Sequence, residues 1–332
     1  MRLKSNDPCW CGSGLKHKRC HGDRRVLDRR PVRLGRVSAP RSVPDAIARP
    51  DYVTTGTIAT PRTPQIQDAE SLVRLRRACA VAAEVLIRTG EQVAVGRTTD
   101  ELDAFAHDVY VELGAYPSDL HYKGFTKSIC TSVNGVICHG VPDDRPLEEG
   151  DIVNVDVTAY VDGMHGDTSA TFHAGDPVDA VAGLVETTRE ATLRGIAAIR
   201  PFEPLQRIAE AIEPFAESRG YSVIREYGGH GIGATFHADP HVCHHVDRRD
   251  DFIVVPGMTF TVEPMLTSGR PIFRRAADGW TEHANDNRPS AQFEHTVLVT
   301  DTGAEILTVT TDGRTAAGTL DTLHTATRLD HR

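Results

Sequence analysis

Residues 151–172 read DIVNVDVTAYVDGMHGDTSATF, and this stretch predicts a β-hairpin. Valine, isoleucine and threonine dominate it, as expected of strands, and Asp162–Gly163 is a common dipeptide of tight hairpin turns. A two-residue turn at that point places Asp156 opposite Ser169. Asp167 then lies on the same face, diagonal to Asp156, with the two backbones about 7–8 Å apart. The hairpin therefore brings two carboxylates together within apolar strands.

Three more ionisable side chains also lie in apolar or glycine-rich segments, where a charge is unfavourable. His230 lies in GGHGIG, Glu263 in TFTVEP and Glu294 in AQFEHTVLV. A charge in such a sequence is costly unless it binds a partner, and a metal ion is one. Asp156 could instead be a solvated strand-end residue and Asp167 a turn residue, but the Val/Ile strand argues against this alternative. We expect a two-metal hydrolytic centre, and four carboxylates with one imidazole suit Mn(II), Fe(II), Co(II) or Zn(II).

Length, charge and cysteine count narrow the class of protein. The 332 residues suffice for one large domain or two smaller ones. Residues 1–49 hold 13 Lys+Arg against 4 Asp+Glu, so a charge of +9 faces −18 on the remainder. The chain has no apolar run of membrane-spanning length and no secretory signal at its start, so we expect a soluble, cytoplasmic protein. Seven cysteines, an odd number in so long a chain, do not predict a disulfide framework.

Proline content and apolar spacing indicate the organisation of the chain. Residues 30–65 carry six prolines with little apolar periodicity, which predicts an extended, semi-rigid connector. Helices are predicted over about 69–90, 98–113 with a Thr98/Glu101 capping box, 176–200 with Asp176–Pro177 at its start, and 205–220, kinked or shortened by Pro214. Strands are predicted around 128–138, 151–172, Val223, 259–262 and 292–300. This mixture indicates the α+β class.

The glycine-rich segment GGHGIG, residues 228–233, superficially resembles a phosphate-binding loop. It lacks the Lys-Ser/Thr ending and runs into ATFHADP, which is not a plausible helix, so nucleotide binding is excluded. Glycines leave room for close backbone approach. We expect them to let the backbone pass close to a metal held by His230.

Further histidines require separate interpretation. His237 and His241 have the four-residue spacing of a zinc-protease helix, yet Pro240 argues against a helix and no Glu follows His237. His237 is retained as a candidate for the site, and His139, in VICHGVP, is a candidate catalytic residue. The remaining histidines of this region are expected at the surface: His241, His244 and His245.

Six strings between Ala69 and Thr310 resemble type I methionine aminopeptidases. They are YKGFTKSICTSVNGVICHGVP, EEGDIVNVDVTAYVDGMHGDTSATF, EYGGHGIGATFHADP, GMTFTVEPML, DGW and SAQFEHTVLVT, and they follow the family's order. The resemblance implies the pseudo-two-fold "pita-bread" fold of creatinase and the aminopeptidases. It further implies that Asp156 chelates one metal ion, that Asp167 and Glu294 bridge both, and that His230 with Glu263 hold the second.

The resemblance also implies how substrate is held. His139 and His237 fall where the family contacts the scissile amide and its carbonyl. The pocket for the methionine side chain would consist of Tyr122, Phe125, Cys130, Phe236 and Trp280. A monovalent-cation site would involve Asn134, Val136 and Ser290. Two positions depart from the family, since Ala234 replaces a commonly basic residue and Gly135 replaces the usual Glu; both departures could alter substrate preference near the rim.

The N-terminus resembles a second motif, the SEC-C zinc motif. NDPCWCGSGLKHKRCHGD has the spacing C-x-C-x₈-C-H, and the ligands would be Cys9, Cys11, Cys20 and His21. Four soft ligands close a tetrahedral Zn²⁺ site, which is structural rather than catalytic. The alternative is three reduced cysteines in a disordered tail. We expect a zinc motif over 1–25, a proline-rich linker over 26–68 and a catalytic domain over 69–332.

The expected function is removal of the initiator methionine from nascent proteins, with a preference for small second residues. Two divalent ions (Co, Mn, Fe or Zn) would activate water, with Glu263 as proton shuttle and His237 as oxyanion donor. We further expect a cytoplasmic monomer whose basic N-terminal module binds an anionic partner such as the ribosome. Two alternatives remain: an Xaa-Pro aminopeptidase or prolidase, and a non-catalytic pita-bread adaptor that binds protein or RNA.

Overall fold

The predicted hairpin is the centre of the structure, a computed structural model that describes Asn6, Lys16 and residues 32–59, 61–177, 179–247, 252–315 and 317–319. Its strands β4 (Asp151–Val161) and β5 (Met164–Ala174) pair antiparallel over their whole length. Asp156 lies opposite Ser169, which confirms the predicted register. The proposed zinc ligands Cys9, Cys11, Cys20 and His21 lie outside the described residues.

The described part of the chain mixes helices and strands, which confirms the α+β class. The helices are α1 (Asp51–Thr55), α2 (Ala69–Gly90), α3 (Thr99–Glu112), α4 (Asp179–Ala198) and α5 (Arg207–Ser218), with a 3-10 turn at Tyr122–Gly124. The other strands are β1 (Tyr116–Pro117), β2 (Cys130–Val133), β3 (Val136–Cys138), β6 (Ser222–Val223), β7 (Gly229–Gly231), β8 (Ala238–Val242), β9 (Thr259–Val262), β10 (Met265–Thr267), β11 (Phe273–Arg275), β12 (Glu282–Ala284), β13 (Ser290–Gln292), β14 (Glu294–Val299), β15 (Ala304–Ile306), β16 (Arg314–Thr315) and β17 (Gly318–Thr319).

The main sheet has nine strands in the order β1-β4-β5-β14-β9-β7-β8, with β2 added to β4 and β15 to β14. Smaller sheets, β13-β10-β6, β11-β12-β3 and β16-β17, complete the strand pairing of the described residues. All of these pairings are antiparallel. Strands distant in sequence, such as β5 and β14, thereby become neighbours.

Helices cover the main sheet. Helix α2 packs on β4 and β5, and its buried face includes Leu75, Ala78, Cys79 and Ala82. The approach is close, because a Cβ atom built on Gly166 would lie 2.4 Å from the backbone nitrogen of Cys79. Among the described residues, no helix combines the length and apolar character needed to cross a membrane.

The helix predictions are confirmed with two corrections. Thr98 and Glu101 form the predicted capping box. Helix α4 begins only at Asp179, so the prediction that Asp176–Pro177 caps it is wrong. Helix α5 continues past Pro214 to Ser218, so of the predicted kink or shortening the shortening is wrong. Its buried apolar face, which contains Ile208 and Ile212, stabilises the helix despite the lost backbone donor.

The strap, residues 32–59, belongs to the predicted linker but packs against the rest of the structure. Val43 and Ile47 are buried with Tyr116 and Leu120. The buried ammonium of Lys127 hydrogen-bonds to the Ser38 hydroxyl at 2.6 Å. The predicted extended connector thus contains the short helix α1, and over its described part it is held to the domain.

We predict that Gly166→Ala lowers the free energy of unfolding by about 1–3 kcal/mol, because the added methyl group must push α2 away from β5. The matched control is Gly303→Ala, where a Cβ would lie 3.7 Å from the Ile199 carbonyl oxygen, an ordinary contact. Urea denaturation followed by circular dichroism measures both variants. Equal midpoints for the two would contradict the close packing of helix and hairpin.

Candidate functional site

Five adjacent strands of the main sheet each bring one predicted metal ligand to the same cavity, whose volume is about 310 Å³. Along the sheet the ligands are Asp156 in β4, Asp167 in β5, Glu294 in β14, Glu263 directly after β9 and His230 in β7. Ser169 of β5 lies in register with both Asp156 and Glu294. The predicted ligands, spread over 139 positions of sequence from 156 to 294, thus become neighbours through strand pairing.

The distances within this group are short enough for a shared metal site. One nitrogen or oxygen atom from each of Asp167, His230 and Glu294 lies within 4.8 Å of the others. The Nε2 atom of His230 is 3.7 Å from Oδ2 of Asp167 and 3.7 Å from Oε1 of Glu263. Its Nδ1 lies 3.2 Å from the Gly231 carbonyl oxygen. When Nδ1 donates there, Nε2 keeps its lone pair for a ligand.

Hydroxyl and amide groups orient two of the carboxylates. The Thr158 hydroxyl donates to Oδ1 of Asp167 at 2.8 Å, and the Thr261 hydroxyl donates to Oε1 of Glu263 at 2.8 Å. The Gln292 amide donates to the other Glu263 oxygen at 3.2 Å. Such partners fix a ligand before a metal arrives. The site is therefore preorganised by its own strands.

The electrostatics of the group fit divalent cations. Burial raises the pKa of Asp156 to about 7. Burial and the neighbouring carboxylates raise the pKa of Asp167, Glu263 and Glu294 well above the usual range. Burial lowers the pKa of His230 to about 4, so the imidazole is neutral at physiological pH. Ionised carboxylates this close repel one another unless cations lie between them, and oxygen-rich ligation suits divalent metals.

Both candidate catalytic histidines line the cavity. The ring of His237 lies 4.0 Å from that of His230 between centroids, and its buried Nδ1 has no hydrogen-bond partner among the described residues. His139 contacts the Tyr227 ring edge-on at 5.1 Å. Burial lowers the pKa of His139 to about 4 and that of His237 well below its usual range. Both are neutral imidazoles, suited to hydrogen bonding with an amide.

The predicted side-chain pocket forms an apolar wall of the same cavity. Its members are Tyr122, Phe125, Cys130, Phe236 and Trp280, and all of them line the cavity. The Phe125 and Trp280 rings meet edge-to-face at 5.1 Å, and the Tyr122 and Phe236 rings lie 4.8 Å apart. Cys130 is directly opposite Asp156 in the β2–β4 pairing. The apolar wall therefore begins beside the carboxylates.

The structure corrects the interpretation of His244. This histidine was expected at the surface, but it is buried and its Nε2 accepts the backbone N–H of Glu263 at 3.1 Å. It positions Glu263 from outside the cavity. The residue follows the end of β8, where strand alternation no longer indicates which side chains face inward.

The glycines around His230 serve the sheet. A Cβ on Gly229 would lie 2.1 Å from the Thr261 carbonyl oxygen, and one on Gly231 would lie 2.1 Å from that of Asp239. The expectation that they let the backbone pass close to a metal stays a prediction, and the structure adds a second cause. Glycine lets β7 approach the strands on both of its sides.

Two of the three residues proposed for the monovalent-cation site, Asn134 and Ser290, are in direct contact. The Ser290 N–H donates to the Asn134 carbonyl oxygen at 2.8 Å, while Val136 begins β3. A Cβ on Gly135 would lie 3.1 Å from the Asn287 carbonyl oxygen. This contact leaves little room for the Glu that the family usually has there.

Sequence reasoning did not identify several polar residues that line the cavity: Asp119, Lys123, Glu226 and Tyr227. Asp119, in AYPSDLHYKGF, stands three residues before the predicted pocket residue Tyr122. Its closeness in sequence to Tyr122 was the one feature that could have identified Asp119 as a cavity residue. In a polar loop, however, an aspartate is ordinarily a turn residue.

Comparison with protein families gives two matches. Residues 73–301 match metallopeptidase family M24, and residues 6–23 match the SEC-C motif. The first match spans all five predicted metal ligands of the cavity. Divalent metal ions are therefore the expected cofactors of the site, in agreement with its donor set.

Comparison with individual proteins shows which members of the family this chain resembles. The chain is 50% identical over 274 residues to methionine aminopeptidase 2 of Mycobacterium tuberculosis, covering 82% of this chain and 96% of that protein. A crystal structure of methionine aminopeptidase from Rickettsia prowazekii has a TM-score of 0.73 at 42% identity, covering 74% of this chain and all of that one. The prolidase from Pyrococcus furiosus has a TM-score of 0.61 at 22% identity, covering 74% and 66%, and shares the fold alone. The chain thus belongs to metallopeptidase family M24 and has the pita-bread fold of its methionine aminopeptidase relatives.

Proposed function

We propose that this protein hydrolyses the peptide bond after an N-terminal methionine and so removes the initiator methionine from nascent proteins with small second residues. The observation that carries the proposal is the cavity in which five adjacent strands place four carboxylates and one imidazole beside an aromatic pocket. Relatives named methionine aminopeptidases support it. Small second residues are proposed from the family resemblance.

Two divalent metal ions would be held by the five ligands Asp156, Asp167, His230, Glu263 and Glu294. We propose Co, Mn, Fe or Zn, because the donors are mostly oxygen with one imidazole. When bound, such ions supply an acidified water and polarise the scissile carbonyl. The mutual repulsion of the buried carboxylates supports this assignment.

Three side chains of the cavity would carry out the proton transfer and hydrogen bonding of the reaction. Glu263, held by Thr261 and Gln292, would take a proton from the attacking water and deliver it to the leaving amine. His237 would donate a ring N–H to the carbonyl oxygen as negative charge develops on it. His139 would hydrogen-bond to the scissile amide. Neutral imidazoles can serve in both roles, because donation requires no extra proton.

The first 31 residues would anchor the enzyme near its substrates. We propose a structural Zn²⁺ held by Cys9, Cys11, Cys20 and His21, a monovalent cation at Asn134, Val136 and Ser290, and a monomeric, cytoplasmic enzyme. Residues 1–31 carry 9 Lys+Arg against 3 Asp+Glu, which favours an anionic partner such as ribosomal RNA. The SEC-C match supports the zinc motif.

A peptide assay tests the main proposal against its rivals. The metal-loaded enzyme should hydrolyse Met-Ala-Ser and leave Ala-Pro-Ala intact, and EDTA should abolish the activity because the cavity then loses its activated water. Release of the first residue is measured by chromatography. Cleavage of Ala-Pro-Ala in preference would support an Xaa-Pro aminopeptidase, and cleavage of neither peptide would support a non-catalytic adaptor.

His237→Ala should lower kcat by roughly 10²-fold, the usual cost of one lost transition-state donor, while metal content stays unchanged. His241→Ala is the matched control, because His241 is an exposed histidine that lines the same cavity. Steady-state kinetics and elemental analysis measure the two effects. An increase in KM without a change in kcat would contradict the proposed role.

Deleting residues 1–31 should abolish co-sedimentation with ribosomes and spare hydrolysis of short peptides, because the strap and all five predicted ligands remain. Full-length protein should sediment less as salt rises from about 50 to about 200 mM, since bound counterions are released on association. Replacing Cys9 and Cys11 by Ser should mimic the deletion. Unchanged sedimentation of the truncated enzyme would refute the anchor.

A further inference from the structure

Asp119 lies where the carboxylates of the cavity meet its apolar wall. It follows β1 and precedes the 3-10 turn at Tyr122–Gly124, whose first N–H donates to the Asp119 carbonyl oxygen at 2.9 Å. On its other side, the Ser118 N–H donates to the Thr158 carbonyl oxygen at 2.9 Å, and Thr158 hydrogen-bonds to Asp167. Asp119 is therefore fixed between a metal-site support and an aromatic pocket residue.

The Asp119 carboxylate has no hydrogen bond or ion pair with any described residue. Other acids of the cavity differ, since Asp167 and Glu263 accept hydrogen bonds from threonine hydroxyls. The cavity's own lysine, Lys123, instead places its ammonium 5.2 Å from the centroid of the Tyr122 ring. Asp119 is partly exposed, and it lines the cavity. A polar group in the cavity can therefore reach it.

The surroundings of Asp119 place it at the side-chain pocket. Burial, and after it the charge of Asp119, raises the pKa of Tyr122 to about 12 and that of Cys130 well above its usual range; both residues belong to the apolar wall. Cys130 in turn lies opposite Asp156, at the end of the ligand row farther from His230. This arrangement puts Asp119 beside the apolar wall at the Asp156 end of the ligand row, where burial and the charges of Asp156 and Asp167 raise the pKa of its own carboxyl well above the usual range.

A methionine side chain offers such a carboxylate no hydrogen-bond donor. Desolvating a polar group against an apolar ligand is unfavourable, whereas a ligand that donates to it recovers the lost interaction. We propose that Asp119 is a specificity-determining residue that extends the accepted first residues to unbranched side chains ending in an amide or ammonium group. The proposal rests on the proposed function, because it takes the aromatic pocket as the binding site of the first residue.

The experiment compares four peptides that differ in the end of the first side chain: Met-Ala-Ser, norleucine-Ala-Ser, Gln-Ala-Ser and ornithine-Ala-Ser. The full-length, metal-loaded enzyme is assayed with Asp119→Leu, which keeps the shape and removes polarity, and with Asp119→Asn, which removes only the charge. Glu226→Gln is the matched control, an exposed acid that lines the same cavity.

In Asp119→Leu, kcat/KM for the glutamine and ornithine peptides should fall about 10- to 100-fold relative to Met-Ala-Ser, the usual effect of a lost hydrogen bond to a charged group. Asp119→Asn should keep the glutamine activity and lose the ornithine activity. Glu226→Gln should leave all ratios unchanged. The urea midpoint of Asp119→Leu should be unchanged or higher, because no described residue loses a partner.

Four results would overturn the proposal. Unchanged ratios in Asp119→Leu would show that the carboxylate does not select the side chain. An equal fall for all four peptides, with reduced metal content, would assign Asp119 to the metal site or the substrate amine. A lower urea midpoint for both variants would assign it a structural role. A wild-type enzyme that cleaves Met-Ala-Ser but neither polar peptide would refute this inference alone, whereas failure on Met-Ala-Ser would refute the proposed function.

Discussion

The repulsion between four carboxylates enclosed in one cavity is the constraint on which the rest of this structure depends. Asp167, Glu263 and Glu294 are buried, and the charge of Asp167 raises the cost of ionising both glutamates. A protein can hold mutually repelling carboxylates this close together only if its backbone is rigid. Four ligands lie on hydrogen-bonded strands and Glu263 directly follows one, which meets this requirement because each of these five strands is paired with a neighbour on both of its sides.

The surroundings of the ligands follow from the same constraint. Threonine is a favourable strand residue, and at Thr158 and Thr261 it also supplies a hydroxyl to a carboxylate. His244 holds the backbone of Glu263 from the far side. The sheet therefore stabilises the ligand group with residues that strands would favour in any case, and few additional polar residues are required.

Much of the site could be predicted because strand pairing has a period of two. Once Asp162–Gly163 is recognised as the turn, the register of Asp156 and Asp167 follows. Composition predicts contacts between residues far apart in sequence less well than the local pattern predicts the hairpin register. The prolines of the strap indicated extended chain but not its packing, and the burial of His244 depends on segments that no local pattern links. Helix α5 shows that burial of an apolar face can outweigh one proline.

The strap limits how far the SEC-C motif, the proposed zinc site, can lie from the catalytic domain. The Arg36 N–H donates to Asp144 at 2.7 Å, and Val43 and Ile47 are buried, so the chain is attached to the domain long before α2 begins. Only residues 26–31 separate the proposed motif from the strap, and six residues span at most about 20 Å. A free connector over 26–68 could extend to about 150 Å. A partner bound by the motif would therefore remain close to this face of the enzyme. The short connecting segment would then set the effective concentration of the enzyme around that partner.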